Sequence, residues 1–277
     1  MSAKKTKSRL DQRLVDEGLA ANLRIAGAMI MAGEVLAGNI PAQSAGQQIQ
    51  DDMPVRLKKS QDGWVSRGAH KLLTAVEKFH LRFDGRVCLD VGSSTGGFTQ
   101  VLLHYGASLV YSLDVGYGLL DWSLRSDSRV VVMERQNARF MTPDMFNPVP
   151  DFACTDASFI SLRLLLKPMA KVTDSAAEAV VLVKPQFEAD PKDVGEGGIV
   201  RSPEVHAEIL QNLAEFINSE TPWKLQNASW SGIRGTKGNI EYLFHLRKNA
   251  AAKSFNVDEL VRGSHEFFQI SGSSYSL

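Results

Sequence analysis

Four ionisable residues, Asp90, Asp114, Asp156 and Lys184, each end an apolar run that reads as a buried strand. An open parallel sheet binds its ligands beyond the carboxyl ends of its strands, so groups gathered there line one cleft. An ammonium set among carboxylates can carry a tuned pKa or act as a fixed positive charge. Either property suits proton transfer or the stabilising of a developing anion. The same residues also allow a plainer reading, a structural ion pair between Asp156 and Lys184.

The stretch from Arg86 to Thr99 reads as a strand, a glycine-rich turn and the start of a helix. Gly92, Gly96 and Gly97 let the backbone turn tightly and approach a ligand, and Ser94 and Thr95 are expected to cap the helix that runs on through His104. The glycines are not spaced as G-x-G-x-x-G, and Asp90 stands just ahead of them. An acidic residue there argues against a pyrophosphate and for a ligand carrying an ammonium or sulfonium charge. S-adenosylmethionine (SAM) fits that description. Asp114 lies where a doubly wound sheet places a carboxylate for ribose hydroxyls, about 20 residues past the first glycine.

These residues need a sheet to hold them. Apolar runs at 87–91, 109–113, 130–133, 152–155 and 180–184 alternate with helical segments, which predicts a parallel sheet with helices on both faces. Two further strands, 223–230 and 241–247, flank a turn-rich segment rather than a helix and are expected as an antiparallel addition at one edge. The predicted class is α/β, a Rossmann-like seven-stranded SAM-dependent methyltransferase domain. Ahead of it, 69–80 forms an amphipathic helix with Leu72, Val76 and Phe79 on one face. Taken singly, Lys71 on that helix reads as a snorkelling surface lysine. A polar helix at 257–268 carries no assigned role.

Composition narrows the setting. Lysine plus arginine and aspartate plus glutamate number 31 each, so any basic surface is local. Cys88 and Cys154 sit in strand-like runs and read as core residues of a reducing compartment. The six histidines show no metal-ligand spacing, the N-terminus lacks the apolar core of a signal peptide, and no apolar run approaches membrane-spanning length. The expectation is a cytoplasmic protein with no metal and no membrane partner.

Residues 1–59 predict a small separate module, with helices around Leu10, Leu14 and Val15 and at 25–31, then strands at 35–40 and 54–57. Residues 60–67 form a polar linker in which Gly63 is a hinge and Trp64 an anchor, 68–250 the large domain, and 251–277 a tail. The pattern Arg9-Leu-Asp-x-x-Leu-Val-x-x-Gly-Leu, with Arg24 opening the next helix, resembles the S4 RNA-binding domain. In that resemblance Lys4, Lys5, Lys7, Arg9, Arg13 and Arg24 line an RNA face, with Arg67 added from the linker, while Glu34 stands where a lysine is usual.

Across the chain, the segments at 95–99, 114–118, 134–139, 156–162, 183–188 and 238–242 resemble the TlyA-type, haemolysin-A-like family in order and spacing. Its members join an S4 domain to an FtsJ-like ribosomal RNA 2′-O-methyltransferase. The resemblance implies a catalytic tetrad of Lys71, Asp156, Lys184 and Glu241. It also implies a SAM pocket of Asp90, Gly92, Ser94, Gly96, Gly97 and Asp114, with Asn137 near the adenine. Lys184 would accept the proton of the ribose hydroxyl or stabilise its oxyanion, Asp156 would orient it, and Lys71 and Glu241 would position the ribose. The implied substrate is a cytidine of ribosomal RNA, in the large or the small ribosomal subunit. Three other readings remain: a catalytically silent RNA-binding or ribosome-assembly factor, a membrane-active haemolysin, and a methyltransferase of the same fold acting on a small molecule or protein, which would leave the S4-like module without a purpose.

Overall fold

The computed structural model describes residues 7–20, 22–31, 33, 35–57, 62–235 and 237–273, so Lys4, Lys5 and Glu34 lie outside the described residues. Short elements come first: β1 (Lys7–Arg9), α1 (Leu10–Asp16), α2 (Leu23–Met31), β2 (Val35–Ala37), β3 (Ile40–Pro41), β4 (Gln48–Gln50) and β5 (Val55–Leu57). They enclose their own core, built on Leu10, Leu14, Ile25, Met29, Val35 and Val55. The β1–β4 pairing is absent from the sequence reading, because strands of this length carry too few alternating residues to announce themselves.

The large sheet follows from α3 (Ala69–Phe79), β6 (Val87–Val91), α4 (Gly97–His104), β7 (Leu109–Leu113), α5 (Trp122–Arg125), β8 (Val130–Met133), β9 (Phe152–Thr155), α6 (Arg163–Val172) and β10 (Glu178–Val183). It is completed by α7 (Pro185–Glu188), α8 (Pro203–Glu220), β11 (Trp223–Trp230), β12 (Tyr242–Lys248) and α9 (Val257–Ser273). Strand order is β11-β12-β10-β9-β6-β7-β8, with β12 antiparallel to both neighbours and the other pairs parallel.

Side chains alternate across this sheet. Leu89, Val91, Tyr111 and Leu113 face a layer made by α6, α8 and α9. Cys88, Val110, Phe152 and Cys154 face α3 and α4. Both cysteines are buried and free. The polar helix of the sequence reading is thus an integral one: Phe267 of α9 packs on Trp230, and Ser264 bonds the Tyr242 hydroxyl.

The expected cap of α4 is not formed. Gly96, at φ +99°, holds the cap position with no side-chain bond. A side chain there would run into Leu124 of α5, so close packing as well as backbone sign demands glycine. Among the described residues no helix is long and apolar enough to cross a membrane.

Candidate active site

Lys71 lies in the first turn of α3, Asp156 just beyond β9, Lys184 just beyond β10, and Glu241 just ahead of β12. Neighbouring strands therefore deliver Asp156, Lys184 and Glu241 to one sheet end, and α3 brings the fourth group across. Lys184 Nζ stands 2.6 Å from Asp156 Oδ1, and Lys71 Nζ stands 3.1 Å from Asp156 Oδ2 and 2.8 Å from Glu241 Oε2. The four side chains form one unbroken chain of opposite charges.

Its surroundings are dry. Lys71, Lys184 and Glu241 are buried, and Asp156, with a fifth of its side chain exposed (20%), is where the chain opens to solvent. Burial disfavours the charge of Asp156, yet Lys184 and Lys71 outweigh it and hold the carboxyl below its usual range. Burial likewise works against Lys71, and Asp156 and Glu241 more than offset it, raising the ammonium above its ordinary value. The snorkelling reading of Lys71 is overturned: the head group points inward, drawn by two carboxylates.

Lys184 is held by more than Asp156. Its ammonium also donates to the Asp156 carbonyl at 3.0 Å and to Ser158 Oγ at 2.8 Å. Three acceptors meet three N–H donors, so the head group has one orientation. Two glycines give the site room. A side chain at Gly97 would strike Ser66 and the Ala69 amide at the entry to α3, and one at Gly235 would strike the Glu241 carboxylate.

The other expected residues divide into two groups. Asp114 is partly exposed, and its carboxylate accepts from the Ser94 N–H at 2.9 Å and from the Gly116 N–H at 2.7 Å. Gly92 presses against Ala157, bringing the glycine turn onto the Asp156 loop. Asn137 caps a short turn by accepting from the Arg139 N–H, and its neighbour Gln136 bonds the Asp114 carbonyl at 3.0 Å. Asp114 thus ties the glycine turn to the segment that carries Asn137.

Asp90 departs from the expectation that four charged groups line the cleft. It is fully buried beneath the turn, where it accepts from Thr99 Oγ1 at 2.7 Å, and Thr99 in turn meets Ser112 Oγ at 2.7 Å. Burial pushes its carboxyl up to about 7. Asp90 braces the first turn of α4 from below.

Among the arginines, Arg67 is exposed and donates to the Arg234 carbonyl in the turn ahead of Glu241. Arg24 is exposed, and Arg9 pairs with Asp11 at 2.6 Å while staying largely exposed. Arg13 is occupied internally, with Glu17 and the Asp51 carbonyl as partners.

Sequence reasoning missed Ser158, Glu188 and Phe159. Phe159 is 72% exposed and sits at φ +63°, a left-handed conformation uncommon outside glycine, three residues past Asp156. An exposed aromatic forced into that shape beside a buried ionic chain is a signal that only the structure carries.

The donor set around Asp114 suits a nucleoside sulfonium. After two N–H bonds, the Asp114 carboxylate keeps lone pairs for ribose hydroxyls. The turn from Gly92 to Gly97 carries no cationic side chain that would compete with a positive ligand. Among the described residues no group of three or more His, Cys, Asp or Glu is placed to hold a metal ion.

The family model for FtsJ-like methyltransferases matches residues 64–248, the span that contains the whole ionic chain and the glycine turn. The chain belongs to the FtsJ-like methyltransferase family. Within it, the chain is 43% identical over 242 residues to the 16S/23S rRNA (cytidine-2′-O)-methyltransferase TlyA of Mycobacterium tuberculosis, covering 87% of this chain and 90% of that one. Hemolysin A of Brachyspira hyodysenteriae is 38% identical over 239 residues, 86% of this chain and 99% of that protein. A solved structure from Streptococcus thermophilus superposes with a TM-score of 0.76 at 36% identity, covering 98% of this chain and all of that one (100%). The similarity to these relatives covers more of the chain than the 64–248 span of the family model.

Proposed function

We propose that the chain transfers a methyl group from SAM to a ribose 2′-hydroxyl of ribosomal RNA, at a cytidine. The observation that carries this is the buried chain Lys184–Asp156–Lys71–Glu241 at the strand ends, beside a glycine turn and within an FtsJ-like domain. When bound, SAM supplies an electrophilic methyl group on a sulfonium. A ribose hydroxyl is a poor nucleophile at neutral pH, and Lys184 meets that need in either protonation state. Neutral, it accepts the proton; charged, it stabilises the oxygen as negative charge develops while the hydroxyl proton passes to water. Asp156 sets its orientation. Lys71 and Glu241 fix Asp156 from the other side and offer polar partners to the ribose, so alignment for an in-line displacement is organised before the substrate arrives.

Asp114, Asn137 and the turn from Gly92 to Gly97 are assigned to the cofactor, with Asp90 holding the turn from beneath. Phe159 presents an exposed ring beside the site, suited to stacking on an unpaired base. The module at 1–59 is assigned as an S4-like RNA-binding domain using Arg9 and Arg24, joined by 60–67 to the methyltransferase domain, with Arg67 at the junction. Arg13 contributes there mainly by holding the module together.

The test is transfer of labelled methyl from SAM to isolated large and small ribosomal subunits from a strain lacking this gene, with Lys184→Ala beside the unaltered protein. Label at an alkali-resistant ribose step, lost in the variant, is the expected result. Measurable SAM and RNA binding without transfer would instead make the chain a silent assembly factor.

A further inference from the structure

In the segment from Lys184 to Glu188 the reaction uses only Lys184, yet the far end of that segment is tied to the other catalytic loop. The partly buried carboxylate of Glu188 accepts from Ser161 Oγ at 2.7 Å and from the Leu162 N–H at 2.7 Å. Ser161 and Leu162 close the loop that Asp156 opens. At the near end, Lys184 grips the start of that loop through the Asp156 carboxylate, the Asp156 carbonyl and Ser158. Between the two grips the rings of Phe187 and Phe159 meet, with centroids 5.2 Å apart. The loop is therefore fastened at both ends and in the middle by one short stretch of chain.

It needs the fastening. Phe159 holds a left-handed conformation that an L side chain adopts at a cost, and such a conformation persists only where its surroundings impose it. The Glu188 carboxylate also sits where α6 begins, beside Ser161 Oγ, which accepts from the Arg163 N–H at 3.2 Å. A negative group there satisfies an otherwise unpaired N–H and meets the positive end of the helix dipole. Burial pushes the Glu188 carboxyl upward, against the bonds from Ser161 and Leu162.

We propose that Glu188 is a positioning residue for methyl transfer: by holding Ser161 and Leu162 it fixes the Asp156 loop against Lys184. The inference rests on the assignment of Lys184 and Asp156 made above. It separates Glu188 from residues that act on the substrate, because the carboxylate works through the loop.

The experiment compares Glu188→Ala, Glu188→Gln and Lys184→Ala in steady-state methyl transfer from labelled SAM to ribosomal subunits, with thermal unfolding in parallel. Glutamine keeps an amide oxygen for the Leu162 N–H and an amide donor for Ser161 Oγ, so it should hold kcat within about threefold of the unaltered protein. Alanine frees the loop, and kcat should fall by about 10- to 100-fold while KM for SAM moves little. Wild-type turnover in Glu188→Ala, a loss confined to KM, or glutamine failing as badly as alanine would each overturn the proposal. If Glu188→Ala does not fold, Ser161→Ala removes one of the two donors and should still lower kcat several-fold; no loss there is equally fatal. Lys184→Ala keeps the two readings apart. If it stays active, the catalytic assignment fails, whereas an inactive Lys184→Ala beside a normal Glu188→Ala sinks only the role of Glu188.

Discussion

Two buried polar clusters meet at the start of β12, and consecutive residues belong to different ones. Glu241 joins the ionic chain with Lys71, Asp156 and Lys184, while Tyr242 turns the other way to donate to His206 Nδ1 at 2.8 Å and to meet Ser264 Oγ at 3.0 Å. His206 completes its own bonding by donating from Nε2 to the Val200 carbonyl at 3.1 Å. Both clusters are dry, but they solve burial in opposite ways. The ionic chain sets two lysines against two carboxylates at ion-pair distance. The histidine cluster excludes charge, and burial lowers His206 to about 4. One opens to solvent at Asp156; in the other His206 is fully buried, with the partly exposed His265 ring 3.4 Å from its Nδ1. Buried polarity therefore takes two forms in one strand, matched charge on one side and neutral hydrogen bonding on the other.

The largest expected effect lies in the ionic chain. Replacing Lys184 with alanine should cut turnover by about 10³-fold or more, since it removes the group proposed to act on the ribose oxygen. Stability should not track that loss. Glu241→Leu alone leaves Lys71 short of one carboxylate in a dry site and should destabilise by about 3 kcal/mol, the lower end for breaking a buried pair. Adding Lys71→Met restores charge balance with apolar groups and should return most of that stability in chemical denaturation, while methyl transfer stays lost. A double variant no more stable than Glu241→Leu would show that the charges are kept for stability and erase the contrast between the clusters.

The sheet was legible because its strands are short runs of Val, Leu and Cys bounded by turn residues, and buried parallel strands look like that in any sequence. The site was legible in part. Asp156 and Lys184 were marked by their place at strand ends, but Lys71 was not. On a helix it neighbours Leu72, and nothing local says that the turn bearing Glu241 will cover it; only the family motifs singled it out. Asp90 misled for a related reason, since a strand-end carboxylate looks the same from sequence whether it faces the cleft or lies beneath the turn. Ser94 and Thr95 are good capping residues displaced by a glycine that α5 crowds. Ser158, in a loop, and Glu188, at the end of the short α7, look ordinary until the two segments are folded together.

The histidine cluster should show itself through acid. Folded His206 resists protonation down to about 4, while the unfolded chain takes up that proton near the ordinary histidine value of about 6.5. Between those values the unfolded state binds more protons, so stability falls as pH drops through that window and is unaffected by this group above it. The full loss is about 3 kcal/mol. His206→Gln can keep both hydrogen bonds and cannot titrate, so its unfolding free energy should depend less on pH between 6.5 and 4, with turnover at neutral pH nearly unchanged. A variant that loses turnover as Lys184→Ala does would place this cluster in the chemistry.

The smallest effect concerns surface charge, the third way this chain uses ionisable groups. Arg24 and Arg13 come from the same basic module but differ in what they already hold. Arg24 is exposed, while the Arg13 side chain is only 16% exposed and spends its donors on Glu17 and on backbone carbonyls. A phosphate can take up the first without breaking anything; reaching the second means giving up contacts that tie α1 to the segment before β5. Arg24→Ala should therefore weaken RNA binding by a few-fold and reduce the slope of log affinity against log salt by about 1, the signature of one lost phosphate contact. Arg13→Ala should lower the unfolding temperature and leave that slope alone. Filter binding at several salt concentrations checks both. A slope that changes with Arg13 and not with Arg24 would mean that the module opens its internal contacts to bind RNA, so that charge held inside it serves recognition after all.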